Sequence, residues 1–427
     1  MSKSAASDKW YYCYLPNGIA NGATSLLIPL FAKELGASVG QIGIIAAISS
    51  LASIPAFMFW GHLSDRIKRR KPFVVIGFLG LALTLMLMGI STGVEEYYLA
   101  NLLFGFLVSA SVPVATVLMI ETVSKDQWAK RIAVFSKIGG IGWVSGLVLG
   151  AIWLQIDFNE LSVGGEMRTL FAIGAALALL SAIVAWRMIK EPESRLEGKP
   201  GHISEHHYIT IEKLKYMPMR MLHVIEFRNR KREAGKFSRE LKIYLVCIFL
   251  LFAGFTAFYA FFPIFLVDDL GMQSSSIFLV YVASQAMSVA FYMRVGRWVK
   301  EKGGRKMQLI GSGARTILVP SFLAVAIFDV DPLLALTLIL ILHSLMGLCW
   351  AMINVSGSMI VSSLAKNEGQ GEAFGAYNAV QGFGAIAGPI AGGLVCQFFG
   401  YTAGFFSASL FIVLGIIVLI RLRTDAK

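Results

Sequence analysis

The sequence predicts an all-α integral membrane protein built as two six-helix bundles related by pseudo-two-fold symmetry. Three observations predict the membrane-spanning helices, and an internal sequence repeat predicts the two related bundles. The 427 residues are 56% hydrophobic and only 15% charged, an apolar fraction that soluble domains do not carry. The apolar residues fall into twelve runs, each about long enough to cross a bilayer core as a helix. The segments between the runs alternate in charge, as membrane orientation demands.

The runs lie at about 11–33, 41–60, 73–92, 97–121, 131–154, 169–189, 241–267, 277–295, 307–328, 332–362, 373–396 and 401–421. The first holds Asn17 and Asn21 and shows no small-residue cleavage site, so it is expected as a retained span and not a signal peptide. Odd-numbered links carry acids, among them Glu34, Glu95, Glu96, Asp157, Asp268, Asp269 and Asp331, against only Lys33 and Arg168. Even-numbered links carry the Lys and Arg residues, as at 66–71, 125–131, 190–240 and 294–306. Both termini are therefore expected in the cytoplasm, and the chain in the cell membrane as a multi-pass protein. The net charge of +12 does not imply nucleic acid, because the cations are confined to alternate links. Anionic lipids at the cytoplasmic face are their expected partners.

Cys13, Cys247, Cys349 and Cys396 all lie in apolar runs, so no disulfide framework is expected. No P-loop motif is present, so the chain does not carry its own ATPase of that kind. His202, His206 and His207 have partial metal-ligand spacing without a fourth ligand. No metal and no cofactor is expected.

Residues 190–240 separate two groups of six runs. Pro192, Gly198, Pro200 and Pro218 prevent one continuous helix there. Apolar groups at mixed spacing, with Arg228, Arg230, Lys231 and Arg232 beside them, suit either the membrane surface or a solvated link. The expected organisation is an N-terminal bundle over 1–190, a cytoplasmic linker over 191–240 and a C-terminal bundle over 241–427.

Between the second and third runs stands Gly61-His62-Leu63-Ser64-Asp65-Arg66-Ile67-Lys68-Arg69-Arg70-Lys71-Pro72. Gly61 permits close backbone approach, and Asp65 is a lone carboxylate among cations, free to cap a helix or bind an arginine. The order resembles the loop between the second and third helices of major facilitator superfamily (MFS) transporters. Gly61, Leu63, Asp65, Arg66, Arg69 and Arg70 match, Ser64 stands for an alanine, and Lys68 replaces the second glycine. The resemblance implies a conformational latch. The aspartate, Asp65, would bond the N-terminal end of the eleventh helix in the outward-facing state, and Arg69 would meet an acid at the end of the fourth helix, here Glu121.

The halves repeat. Gly296-Arg297-Trp298 to Lys306 follows the eighth run as the first motif follows the second, at an offset of 296 − 61 = 235. Gly303 restores the second glycine and Lys300 replaces the aspartate. Gly142, Gly146 and Gly150 of the fifth run recur as Gly384, Gly388 and Gly392 of the eleventh, at 384 − 142 = 242. Small residues every fourth position make a face for close helix packing. The antiporter pattern of the family, Gly-x3-Gly-Pro-x2-Gly-Gly, is interrupted by Leu147 in the fifth run and complete, with Pro389, in the eleventh. That departure weakens a reading of antiport.

A solute site is expected near the midplane between the halves. Polar residues at helical spacing mark candidate cavity faces: Asn17, Asn21 and Thr24, then Tyr281, Ser284, Gln285 and Ser288, then His343, Trp350 and Asn354, then Tyr377, Asn378 and Gln381. Interhelical hydrogen bonding is the alternative for each. Tyr259 stands in an aromatic group with Phe255, Phe258 and Phe262. Two ionisable groups inside runs are singled out. Lys137, about 9 Å of helix rise past Arg131, either snorkels or attracts an anion. His343 is suited to proton exchange or to a buried hydrogen bond.

The expected function is a secondary active transporter that moves a small organic solute by alternating access, with drug or metabolite efflux favoured and no enzymatic chemistry. Uptake of a sugar or organic anion is the alternative, and an adaptor acting through the basic 190–240 loop is a second. Protons are a candidate coupling ion, and a monomer is expected.

Overall fold

A computed structural model describes residues 10–67, 69–121, 128–156, 164–189, 237–328, 330–365 and 370–422. Within them the chain is helical and no strand occurs. After a 3-10 turn, Trp10–Cys13, come α1 (Tyr14–Ser25), α2 (Leu27–Glu34), α3 (Val39–Ile67), α4 (Lys71–Ile90), α5 (Val94–Val108), α6 (Ser111–Glu121), α7 (Trp128–Trp153) and α8 (Gly165–Met188). The second half holds α9 (Arg239–Asp268), α10 (Ser274–Lys302), α11 (Gly304–Ile327), α12 (Pro332–Leu364) and α13 (Gln370–Arg421).

Ten helical stretches are long and apolar enough to cross a membrane. That figure omits the first span, which is broken into α1 and α2 at Leu26. It also counts α13 once, although Gly400 (φ 81°, ψ 170°) breaks that helix. Only glycine adopts this backbone without strain. Residues before and after Gly400 run in opposite directions along α9. A Cβ on Gly384 or Gly392 would meet Phe252 or Ala257, whereas Gly415 and Gly404 approach Leu251 and Phe261. Ten plus one plus one gives twelve spans, as the apolar runs predict.

The helices are apolar on more than one face, as lipid requires. In α4, Phe78, Leu81, Leu85 and Met88 are buried while Leu79, Leu83, Met86 and Ile90 are exposed. Their ends are fixed by local chemistry. Ser38 and Gln41 form a reciprocal cap at the start of α3, with Ser38 N–H donating to Gln41 Oε1 at 2.9 Å and Gln41 N–H to Ser38 Oγ at 3.3 Å. Asp331 accepts from Leu333 N–H at 2.9 Å before α12. Gly303, at φ 85°, makes the short link between α10 and α11.

The two halves use the same joints. A Cβ on Gly146 would lie 2.2 Å from the Ile19 carbonyl oxygen, and one on Gly388 2.3 Å from that of Ala253. The first span therefore touches the fifth as the seventh touches the eleventh, backbone to backbone. Ser53 Oγ donates to the Gly105 carbonyl at 3.2 Å, and Ser288 Oγ to that of Gly347 at 2.6 Å. These pins join the second span to the fourth and the eighth to the tenth.

The halves meet at the end where the acidic links lie. Lys33 pairs with Asp268, which also accepts from the Tyr401 hydroxyl. Ser38 Oγ donates to Gln397 Oε1 at 3.1 Å. Gly43 and Gly393 sit against each other, and Gly150 lies against the Phe278 ring. The contact extends to Ile54 beside Gly382, about halfway along α3. Toward the basic end, Gly61, Gly139, Gly140, Gly296 and Gly375 all face open space. The linker expected at 191–240 falls outside the described residues except for its last four positions, and His202, His206 and His207 fall outside with it.

Candidate functional site

Where the two halves part, they enclose a cavity of about 480 Å³. Its walls differ. The first half supplies Leu26, Ile28, Pro29, Ile42, Ala46, Phe104, Trp143 and Leu147, with Ser25 and Ser49 as the polar groups. The second half supplies Phe252, Phe255, Tyr259, Tyr281, His343 and Trp350 together with Thr256, Ser284, Gln285 and Ser288. The repeat is visible in the lining itself. Pro29 and Pro263 both line it, at 263 − 29 = 234, and so do Ser25 and Tyr259, at 259 − 25 = 234. The same relation that aligns the folds therefore places a ring in one half against a hydroxymethyl group in the other.

Behind the second wall lies Arg315. It is 0% exposed and stands eleven residues into the 24-residue helix α11 (315 − 304 = 11). Its guanidinium carbon is 4.5 Å from the Phe255 ring centre, 5.5 Å from that of Trp350 and 5.7 Å from that of Tyr259. All three rings line the cavity. One Nη2 donates to the Met346 carbonyl at 3.2 Å and to the Tyr259 hydroxyl oxygen at 3.3 Å. Nε and Nη1 are buried without a hydrogen-bond partner. Each aromatic face contributes about 0.5–2 kcal/mol to a buried cation, whereas removing an ion from water costs several kcal/mol. The balance leaves a cation whose compensation is incomplete.

His343 belongs to the same wall. Its ring stacks on Phe262 at 5.2 Å and lies 4.7 Å from Tyr281, and neither ring nitrogen has a hydrogen-bond partner. In the first half, the positions equivalent to Arg315 and His343 are Gly80 (315 − 80 = 235) and Asn101 (343 − 101 = 242). Gly80 packs on Leu107, and Asn101 donates to the Tyr97 carbonyl of its own helix at 2.8 Å.

Of the candidate cavity residues read from the sequence, Tyr259, Gln285, His343 and Trp350 line this cavity. Asn354, Asn378 and Gln381 line a smaller one of about 190 Å³, nearer the basic end, which shares Phe252 and Trp350 with the first. Asn17, Asn21, Thr24 and Lys137 line neither. Asn21 donates to the Asn17 carbonyl at 2.8 Å and Thr24 to that of Ala20 at 2.8 Å, so their polar spacing serves the helix that bears them. A Cβ on Gly174 would meet the Thr24 methyl at 2.8 Å, which makes Thr24 a packing residue. Lys137 is exposed. Arg315 shares with Lys137 the signal of a lone charge inside an apolar run, and not the polar spacing that marks the other candidates.

The latch residues are only partly brought together. Arg70 is buried and donates to Ser64 Oγ, whereas Arg66 and Arg69 are exposed. The buried cation of the motif is thus Arg70 and not Arg69. Its counterpart Arg305 (305 − 70 = 235) donates to the Leu419 carbonyl at 3.3 Å and to that of Ile420, at the end of the last helix. The side chains of Asp65 and Glu121 lie outside the described residues. Gly61 was expected to allow a close backbone approach. It faces open space instead.

The packing glycines divide. Gly142 and Gly146 abut Leu15, Gly18, Ile19 and Gly22, and Gly384, Gly388 and Gly392 abut residues 249–257. Gly150 instead meets Phe278 of the other half. Pro389 lies inside its helix with its carbonyl against Gly43, a contact between halves. All four cysteines are free and buried. Among the described residues no group of three His, Cys, Asp or Glu side chains is placed to hold a metal.

The chain matches the family model of the Major Facilitator Superfamily over residues 11–381 and 312–427. It is 25% identical to the multi-drug resistance efflux pump PmrA of Streptococcus pneumoniae, across 98% of this chain and 97% of that one. It is 27% identical to the multidrug resistance protein MdtG of Yersinia enterocolitica over 187 residues, a stretch that spans 43% of this chain and 42% of the relative. Its fold superimposes on the nucleoside transporter NupG with a TM-score of 0.74 at 15% identity, covering 98% of this chain and 99% of that one. A bacterial homolog of the human lysosomal transporter Spinster, in an inward-facing and unoccupied conformation, gives 0.73 at 13% identity over the full length of both chains. Twelve apolar spans, two repeated halves and a cavity between them are accounted for by one ancestry, and this multi-pass membrane protein belongs to the Major Facilitator Superfamily.

Proposed function

We propose that the chain is a secondary active transporter that exports small organic solutes from the cell by alternating access, and that the conformation described is the inward-facing one. The observation that carries this reading is the cavity between the halves, about 480 Å³, a size that suits a drug-sized molecule. It lies beneath a joint closed by Lys33, Asp268 and the paired faces of α3 and α13. The basic end is the cytoplasmic one by the distribution of Lys and Arg, so solute enters the open end from inside. Efflux is favoured over uptake by the full-length similarity to a protein named as an efflux pump.

Both termini lie in the cytoplasm, anionic lipid headgroups contact the basic links, and the chain works as a monomer in the cell membrane. Arg70 and Arg305 anchor the two halves at that face, and Asp65 with Arg69 and Glu121 forms the latch when this end closes. The twelve spans hold one carboxylate, Glu121, at the end of the fourth. If protons drive transport, their carrier is therefore sought at His343 or at Glu121.

The test is transport by the purified chain in liposomes, with a fluorescent drug inside or outside and a proton gradient of either sign. Export from the cytoplasmic side, abolished by collapsing the gradient, is expected. Flux only in the opposite direction would replace efflux by uptake. No flux for any of a broad panel of drugs and metabolites would remove the transport reading.

A further inference from the structure

The inference deepens the transport reading and rests on it. We propose that the transported solute is an organic anion with a flat apolar body, and that Arg315 is the counter-charge for its carboxylate. Three observations converge. Arg315 is fully buried at the centre of its helix, and Nε and Nη1 have no partner. The spans that surround it offer no acid: residues 241–267, 277–295, 307–328, 332–362, 373–396 and 401–421 contain neither Asp nor Glu. The groups between Arg315 and the cavity are suited to relay its charge. The Tyr259 oxygen accepts from Arg315 at 3.3 Å, which leaves the hydroxyl proton to donate toward the cavity that Tyr259 lines.

The rest of the wall completes the recognition. His343 belongs to the same wall and both its ring nitrogens are buried without partners, so one is available to donate to a carboxylate that enters the wall. Phe252, Phe255, Tyr281 and Trp350 supply flat apolar surfaces. The opposite wall is mostly aliphatic, and its Ser25 and Ser49 hydroxyls already donate to carbonyls. A buried guanidinium without an anion is costly, so an anion that reaches it gains by ending that cost. A neutral solute of the same shape gains nothing from it. The carboxylate of the solute and a small inorganic anion share this chemistry, and the structure favours the solute because aromatic rings cover the approach.

The experiment uses the full chain purified in detergent and equilibrium dialysis with 2-naphthoate and its neutral analogue 2-naphthamide. Wild type is expected to bind the acid about tenfold or more tightly than the amide. Arg315→Met should erase that preference while retaining affinity for the amide, and Tyr259→Phe should reduce it. A structural arginine would give the reverse: loss of thermal stability in Arg315→Met with the preference intact. Wild type that binds both ligands alike, or neither, overturns the proposal. If Arg315→Met does not fold, Tyr259→Phe decides, since an unchanged preference there overturns the relay. Replacing sulfate by chloride at equal ionic strength should leave naphthoate affinity unchanged. Competition by chloride assigns the counter-charge to an inorganic ion and overturns the solute reading. Binding needs no flux, so an anion site without transport and transport without an anion site are distinct results.

Discussion

The two walls of the cavity come from halves that share their joints but not their linings. Where the second half has Tyr259, Arg315 and His343, the first has Ser25, Gly80 and Asn101 at the same offsets. The joints are alike in being backbone contacts and serine-to-carbonyl bonds. The linings differ in what they offer a solute: a buried cation behind aromatic rings on one side, mostly aliphatic groups on the other. On the first wall, Ser25 donates to the Gly22 carbonyl and Ser49 to that of Asn101, so both lining hydroxyls already have carbonyl partners. Architecture thus repeats within the chain, whereas the buried arginine and histidine fall on one side of it.

The largest expected effect tests the shared joints. Gly146→Leu and Gly388→Leu each drive a side chain into backbone atoms at 2.2–2.3 Å, and overpacking of this kind costs about 1–3 kcal/mol or more. Both should lower the thermal unfolding midpoint by similar amounts, and Gly139→Leu, which faces open space, should leave it unchanged. If only one of the first two responds, the joints are not equivalent.

A similar magnitude of opposite sign is expected where the halves diverge. Arg315→Met replaces an incompletely compensated buried ion by an apolar chain of comparable length and should raise stability by about 1–4 kcal/mol. Gly80→Ala at the equivalent position places a Cβ 2.5 Å from Leu107 Cβ and should lower it. Thermal melts of the two purified variants compare the halves directly.

Smaller changes concern the lining itself. Tyr259→Phe removes one hydroxyl from the recognising wall and should alter the ratio of fluxes for two chemically distinct solutes by about fivefold, the equivalent of about 1 kcal/mol. Ser25→Ala should leave that ratio unchanged. Equal responses would mean that both walls select.

The smallest effect is expected at the joint between the halves. Lys33 and Asp268 are about one-third exposed, and a pair of that kind is worth at most about 1 kcal/mol. Lys33→Gln should shift the population toward the outward-facing form by no more than about fivefold. Labelling of single cysteines from each side of the membrane measures it, and a complete reversal of the labelling pattern would show that this pair alone holds the joint.

Much of this was legible in the sequence because it repeats there. The spans follow from apolar run length, and the glycine faces from a spacing of four that recurs at one offset. Recognition was harder to read. Asn17, Asn21 and Thr24 have the periodicity of a cavity face, but short polar side chains on a helix reach their own carbonyls four residues back, and Asn21 and Thr24 do so. Arg315 carried a clear signal that polar spacing does not capture, since it stands alone. Lys137 carries a similar signal nearer the end of its span, and the aromatic box that makes Arg315 distinctive is assembled from two helices, α9 and α12, remote from each other in sequence. Gly61 faces open space, so the close approach that the motif implies is not displayed in this conformation.

The backbone contact between the first and fifth spans has a mechanical consequence. With no layer of side chains between them, the pair is a strut with little compliance, and the Gly384–Gly388–Gly392 pair is another. A strut of 26 residues is about 39 Å long. Pivoting such a lever by about 10° about its closed end carries the far end through roughly 7 Å, by the same helix dimensions. That displacement is wide enough for an aromatic ring to pass, while the fulcrum hardly moves. A stiff lever of this kind turns a small rotation at the end where Lys33 meets Asp268 into a wide opening at the other.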